Sequence, residues 1–181
     1  MGTVYRLMYA VGFTPWDRAV AIPLRELIEG PDALPAGRAL DLGSGMGTKS
    51  VYMAAHGWDV TGVEFVPRAL KEARRRAQAA GVKVDFREGD VTRLGYLGLT
   101  PGFSLLFDFG CYHGLKRDQR ARYAEGVTAL AAPGATLLMM AFTKPCRRSP
   151  RGSAKRNYAS AFGRLGTLPG QRPASRPARR P

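Results

Sequence analysis

Between residues 38 and 142, short apolar runs alternate with stretches whose apolar positions recur every three or four residues. Residues 38–42, 58–63, 82–86, 103–107 and 135–142 read as strands, and 48–56, 67–81 and 119–131 as the helices between them. Val82, Val84 and Phe86 alternate with Lys83 and Asp85, the pattern of an outer strand buried on one face, whereas 103–107 is apolar throughout, as suits a strand covered on both. In the helix opened by Pro67, Leu70, Ala73, Ala77 and Ala80 form one stripe. Lys71, Arg74, Arg75 and Arg76 fall mostly off it, so the charge run predicts a solvated face rather than a nucleic-acid patch. Asp118 is placed to cap the last helix, with Tyr123, Val127 and Leu130 facing inward and Pro133-Gly134 turning the chain out. Such alternation predicts an α/β fold: a Rossmann-like doubly wound parallel sheet with strand order 3-2-1-4-5. Ahead of it, residues 1–13 read as a short helix over the domain, and 16–29 as a second, with Pro15 in its first turn, Asp17 capping its start and Gly30-Pro31 closing it.

The densest chemistry lies at the first strand-to-helix break, A-L-D-L-G-S-G-M-G over residues 39–47. Glycine at 43, 45 and 47 admits φ > 0 and removes side chains that would hold a ligand away, while the N–H groups of the following helix start point into the same space. That predicts a nucleotide-like cofactor. A dinucleotide fingerprint would need glycine at position 48, which is Thr48. The P-loop is a nearer miss: residues 43–50 read G-x-x-x-x-T-K-S, with the glycine before Lys49 replaced, and Asp108 imitates the strand acid of such sites. Glu64 ends the second strand 17 positions after Gly47, where a doubly wound fold places an acid facing ribose hydroxyls. Asp90 follows the third strand and reads either as a ligand group or as the N-cap of a short helix near Thr92.

Charge changes the picture only when divided along the chain. The net +14 suggests a nucleic-acid binder, but residues 143–181 hold 11 Lys+Arg and no acid, leaving +3 for the rest. No apolar run reaches the roughly 18 residues of a membrane span. The first ten residues lack a basic stretch and are interrupted by Arg6, so no signal peptide is expected. Cys111 and Cys146 fit no metal spacing and read as free thiols. The expectation is a cytoplasmic protein without a metal.

D-L-G-S-G-M-G followed by V-T-G-V-E-F-V-P-R-A-L resembles motif I and the acidic strand of class I S-adenosylmethionine-dependent methyltransferases. T-P-W-D (14–17) and F-D-F-G-C-Y-H-G-L (107–115) resemble bacterial small-molecule members of the thiopurine and tellurite-resistance type, and the likeness runs from about Tyr5 to Phe142. The resemblance implies S-adenosylmethionine as cofactor and a small-molecule acceptor methylated on sulfur, nitrogen or oxygen. It implies a cofactor set of Asp41, Gly43, Ser44, Gly45, Gly47, Thr48, Glu64, Phe65, Asp90, Val91, Asp108, Phe109 and Trp16, with Asp90 reaching the adenine amino group and the backbone after it meeting the ring. Trp16 is either a lid there or core filler. The loop after the fourth strand is implied to face the sulfonium, which makes His113, Asp108 and Tyr112 candidate bases, with His113 equally readable as a loop-satisfying histidine. Cys111 is not read as a nucleophile, since no helix start or cation beside it is evident to lower its pKa. The alternatives are a non-catalytic nucleotide-binding module and a nucleic-acid binder acting through its basic tail.

After Phe142 the character changes: 28 of 39 residues are Arg, Pro, Ala, Gly or Ser. The expected organisation is therefore a methyltransferase domain over 1–142 (helices in 1–30, core 36–142) and a disordered basic tail over 143–181. The resembled family continues past strand five with a helix and two more strands. The chain is accordingly expected to be an incomplete member lacking those last two strands, weakened or inactive, its tail the product of a shifted frame or a truncated gene. Residues 137–142 are too uniformly apolar for an open edge, which predicts edge-to-edge dimers or aggregation.

Overall fold

Pro23 in the first turn and Gly30 just past the last bound an eight-residue helix, α1 (Ile22–Glu29). Strand and helix then alternate through β1 (Arg38–Leu42), α2 (Thr48–Ala55), β2 (Asp59–Glu64), α3 (Pro67–Ala79), β3 (Asp85–Glu88), a 3₁₀ segment (Val91–Tyr96) and β4 (Phe103–Phe109). A 3₁₀ turn (Tyr112–Gly114), α4 (Arg117–Leu130), β5 (Ala131–Phe142) and β6 (Tyr158–Arg164) follow. The computed structural model describes Leu7, Asp17, residues 20–142 and 158–164, the last stretch as backbone. The sheet runs β3-β2-β1-β4-β5-β6, its first five strands parallel, as the alternation predicts. No helix among the described residues is long and apolar enough to cross a membrane.

Apolar side chains cover the sheet on both faces. Leu40, Leu42 and Leu106 pack with Val91, Leu94, Tyr123, Val127 and Leu130 of the 3₁₀ segment and α4. Ala39, Val60, Leu105 and Phe107 pack with Leu24, Ile28 and Met53 of α1 and α2. The α3 stripe, Leu70, Ala73 and Ala77, closes on Phe86. Parallel strands so covered need no polar face, which is why their few charged residues gather at strand ends.

Several expected boundaries move. The outer strand occupies 85–88 rather than 82–86; Val82 and Val84 still pack beneath α3, so their alternation reports burial, not pairing. Of the helix expected over 16–29, α1 holds 22–29 with Pro23 in its first turn, while Pro15 and, apart from Leu7, the helix expected over 1–13 lie outside the described residues. Asp118 lies inside α4 and meets Arg122 one turn on, while the Lys116 N–H, at the cap position, donates to Gln119 Oε1 at 2.9 Å. β5 starts at Ala131, and between Ala131 and Thr136 it advances five residues while β4 advances two, which places Pro133-Gly134 in a bulge instead of a turn before the strand.

The largest correction concerns the tail. Residues 158–164, read as disordered, form β6 and pair antiparallel with β5 from Phe142↔Tyr158 to Thr136↔Arg164. Composition averaged over the whole tail hid a proline-free window in which Tyr158, Ser160, Phe162 and Arg164 alternate with Ala159, Ala161 and Gly163. One strand beyond strand five is therefore present and β5 is not an open edge, which removes the reason given for edge pairing. Deletion of residues 143–181 is expected to uncover β5, lower the melting temperature by several degrees and induce self-association. Light scattering and a melting scan check this, and an unchanged melt with a monomeric deletion protein would contradict it.

Candidate active site

The glycine loop is held from below. Gly43 and Ser44 N–H both donate to Val63 O, at 2.9 and 3.0 Å, and Gly47 N–H donates to Ser44 O. All three glycines have positive φ. A Cβ on Gly47 would meet Ala73 Cβ at 2.8 Å and Phe86 Cζ at 2.9 Å, and one on Gly43 would meet Cys111 Cβ at 3.0 Å. Two of the three glycines thus have a packing reason within the protein, α3 and β3 closing on one and the loop after β4 on the other. That narrows the inference drawn from the sequence, which assigned all three to a ligand. Ser44 Oγ, in contrast, is buried without a partner among the described residues, and a buried hydroxyl left so costs about 1–3 kcal/mol.

Glu64, 4% exposed, ties this loop to the next. Its Oε2 accepts Gly45 N–H at 3.1 Å, and its Oε1 accepts Phe65 and Val66 N–H, each at 2.9 Å. Burial raises its pKa and these bonds work against the rise. A carboxylate offers about four acceptor sites, so one remains. Asp90 does cap the 3₁₀ segment: its Oδ1 accepts both the N–H and the hydroxyl of Thr92, each at 2.8 Å, and no described residue donates to Oδ2. Val91 is buried in the core beside it, and Phe65 packs against the Val66 and Ala69 cluster.

Asp108, fully buried, is turned into the protein. Oδ1 accepts Cys111 N–H at 2.7 Å; Oδ2 accepts Tyr112 N–H at 3.0 Å and the Tyr123 hydroxyl at 2.7 Å. Burial still pushes it up to about 6. Tyr112 is half-buried, its ring 5.4 Å from that of Tyr123 and 5.0 Å from the Arg120 guanidinium. His113 is also half-buried, and burial, then Arg120, lowers its pKa. The Cys111 thiol is pushed well up by burial and by Asp108, Glu64, Asp90 and Asp41 around it, which suits its exclusion as a nucleophile.

The sequence left a second polar cluster unread. Asp17, expected as a helix cap, has its Oδ2 2.7 Å from Arg76 Nη1, and its Oδ1 accepts the Thr48 hydroxyl at 2.8 Å. Arg76 also donates to Glu72 and Thr48 and so leaves the expected solvated face, whereas Arg75 and Arg74, the latter donating to Phe86 O, stay exposed on it. The available signal was position: Arg76 stands three residues after Ala73, beside the buried stripe. Lys49 is buried with its Nζ 4.8 Å from the Phe109 ring, and its pKa is lowered by burial against the opposing charges of Asp17 and Asp41. Asp41, which accepts the Ser50 hydroxyl at 2.5 Å, is pushed up by burial to about 7. The structure thus gathers the expected set at one end of the sheet; Trp16 lies outside the described residues.

A family model described as "Methyltransferase domain" matches residues 39–134, from β1 into the β5 bulge. The chain belongs to that family. The methyltransferase domain is 28% identical to the 2-heptyl-1-hydroxyquinolin-4(1H)-one methyltransferase of Mycobacteroides abscessus over 60% of this chain and 47% of that one. It is 28% identical to thiocyanate methyltransferase 1 of Brassica oleracea over 72% and 58%. The chain therefore spans about half the length of these curated relatives. Among solved structures, one from work on the conversion of a disulfide bond into a thioacetal group during echinomycin biosynthesis superposes with TM-score 0.69 at 27% identity, over 79% of this chain and 62% of that one. The Burkholderia thailandensis 1,6-didemethyltoxoflavin-N1-methyltransferase, with 1,6-didemethyltoxoflavin and S-adenosylhomocysteine bound, superposes with TM-score 0.65 at 25% identity, over 92% and 70%.

The buried Asp41 gives this methyltransferase domain a testable pH signature. Its folded pKa of about 7 lies above the ordinary 3.8, so its contribution is most favourable below pH 4 and is lost as pH rises toward 7. Asp41→Asn removes that slope. At pH 8 the variant is expected to be more stable than wild type by roughly 4 kcal/mol, and at pH 4 to match it. Denaturant titrations across that range measure the gap, and curves that stay parallel would refute the assignment.

Proposed function

We propose that the domain binds S-adenosylmethionine above the glycine loop and transfers its methyl group to a small molecule bearing a nucleophilic sulfur, nitrogen or oxygen. The observation that carries this is the Glu64 carboxylate, fixed by three backbone N–H groups beside Gly45 with an acceptor site still available. The orphaned Ser44 hydroxyl and the half-used Asp90 carboxylate supply a donor and a further acceptor for the same ligand. Carboxylates suit a cofactor that carries hydroxyls, an amine and a sulfonium, and they oppose polyphosphates. The Asp17 carboxylate already sits on the Thr48 hydroxyl at the start of α2, where a P-loop would receive phosphate. Relatives named for thiocyanate, a hydroxyquinolone and a toxoflavin precursor support a small acceptor. A free Cys111 thiol suits the reducing, cytoplasmic setting that belongs to this reading.

S-adenosylmethionine, when bound, supplies a methyl group already activated for displacement. The chain's share is to hold the reactants, exclude water and, for a protonated acceptor, take a proton. Glu64, Asp90 and Ser44 would hold the ribose and adenine end, with Gly45 allowing close approach. Of the candidate bases, Asp108 has its oxygens committed to the loop and α4 and acts as a holder. His113 and Tyr112 are half-buried on the same turn. Burial and Arg120 keep His113 neutral near pH 7, the form that accepts a proton.

Calorimetry with S-adenosylmethionine, S-adenosylhomocysteine, NAD and ATP tests the cofactor: the first two are expected to bind, and tight binding of ATP alone would overturn the proposal. Glu64→Ala is expected to weaken S-adenosylhomocysteine binding by ~1.5–3 kcal/mol, the range for hydrogen bonds to charged groups. With a protic acceptor, His113→Gln should reduce kcat by about 10² or more. Wild-type activity should fall with acidity only below the ordinary histidine range, since the base must be neutral; an unchanged kcat would assign proton removal to another group.

A further inference from the structure

The Tyr123 hydroxyl belongs to α4 and to none of the candidate groups, yet it donates at 2.7 Å to a carboxylate that also accepts the Cys111 and Tyr112 N–H groups. We propose that Tyr123 is a positioning residue whose hydroxyl, acting through Asp108, holds the turn after β4 against the glycine loop and so sets one wall of the site. This rests on the methyl-transfer reading of that site.

Tyr123 is 1% exposed and Asp108 0%, and among the described residues no lysine or arginine pairs with Asp108. Its charge is met by N–H and O–H donors, while the Asp41 carboxylate on the neighbouring strand opposes it. Removing the tyrosine hydroxyl leaves a buried anion short of a donor. If the anion then takes up a proton, the new O–H points a donor at a turn that offers donors, and the bonds to Cys111 and Tyr112 weaken. Either way the turn is released. Cys111 reports that movement directly, because its Sγ lies 3.2 Å from where a Gly43 Cβ would stand. Core filling alone accounts for the ring, which packs with Val127 and Leu130, but an aromatic ring without the oxygen would fill that space equally well.

The experiment uses the full chain with Cys146→Ser, so that iodoacetamide reports on Cys111, and compares Tyr123→Phe with Val127→Ala, a core truncation on the same helix. Tyr123→Phe is expected to raise Cys111 alkylation at least about tenfold and to weaken S-adenosylhomocysteine binding, whereas Val127→Ala should lower the melting temperature without unprotecting Cys111. Wild-type alkylation rates in Tyr123→Phe, or equal unprotection in both variants at matched loss of melting temperature, would overturn the proposal. Should Tyr123→Phe fail to fold, Asp108→Asn, which turns one acceptor into a donor, is read by the same two outcomes. A wild-type chain that binds no S-adenosylhomocysteine defeats the methyl-transfer reading, while the alkylation comparison still decides the role of Tyr123.

Discussion

Three carboxylates end adjacent strands of the sheet, and the structure of the site follows from how their burial is compensated. Glu64 is met by backbone N–H groups, Asp108 by N–H groups and a tyrosine hydroxyl, Asp41 by the Ser50 hydroxyl. Each compensation ties a loop to the sheet. A buried anion without such donors would cost several kcal/mol, so the loops after β1, β2 and β4 are held in place by the need to solvate the acids beneath them. Asp41 and Asp108 nevertheless stay above the ordinary aspartate range, at about 7 and about 6, which means their compensation is incomplete.

Incomplete compensation is destabilising, and it is also what a binding site for a cation requires. Negative potential gathered at one end of the strands is relieved by a positively charged ligand and made worse by a phosphate. Among the described residues the cations near it are engaged elsewhere: Arg76 is committed to Asp17 and Glu72, Arg120 to the Leu115 and His113 carbonyls, and Lys49 lies over the face of Phe109 with its own pKa lowered. The same acids work against a thiolate at Cys111, so the thiol beside the glycine loop acts through its volume and not through its chemistry.

Periodicity and strand-end position were sufficient to read the order of the parallel strands and the place of Glu64, because both follow from local pattern and connection rules. Pairwise contacts were not legible in that way. Gly43 and Gly47 looked like ligand glycines since one sequence cannot tell a missing side chain that admits a ligand from one that admits Cys111 or Ala73. Arg76 looked solvated because a helix stripe has no sharp edge, and a long side chain beside it reaches a partner 59 positions away. Asp108 was a candidate base because the resembled family turns the loop after strand four toward the sulfonium. Its inward turn depends on Tyr123, a position the pattern marked as core without revealing where the oxygen goes.

The sixth strand shows how remote segments bear on the site. β6 reaches the site through backbone register with β5, and β5 through its register with β4 and its packing. Met139 of β5 is the register partner of Asp108, and Leu137 and Met139 pack into the cluster that holds Tyr112 and Tyr123. Pairing with β6 fixes β5 over the same residues, Leu137↔Gly163 and Met139↔Ala161. A loosened β6 would therefore reach the site as a shift in the β4 end that carries Asp108, and would leave Glu64 and the glycine loop, braced from β2, in place. The glycine loop and the turn after β4 thus have different anchors in one sheet, the first between β1 and β2 and the second between β4 and α4 with β5 behind it, and they meet where Cys111 lies against Gly43.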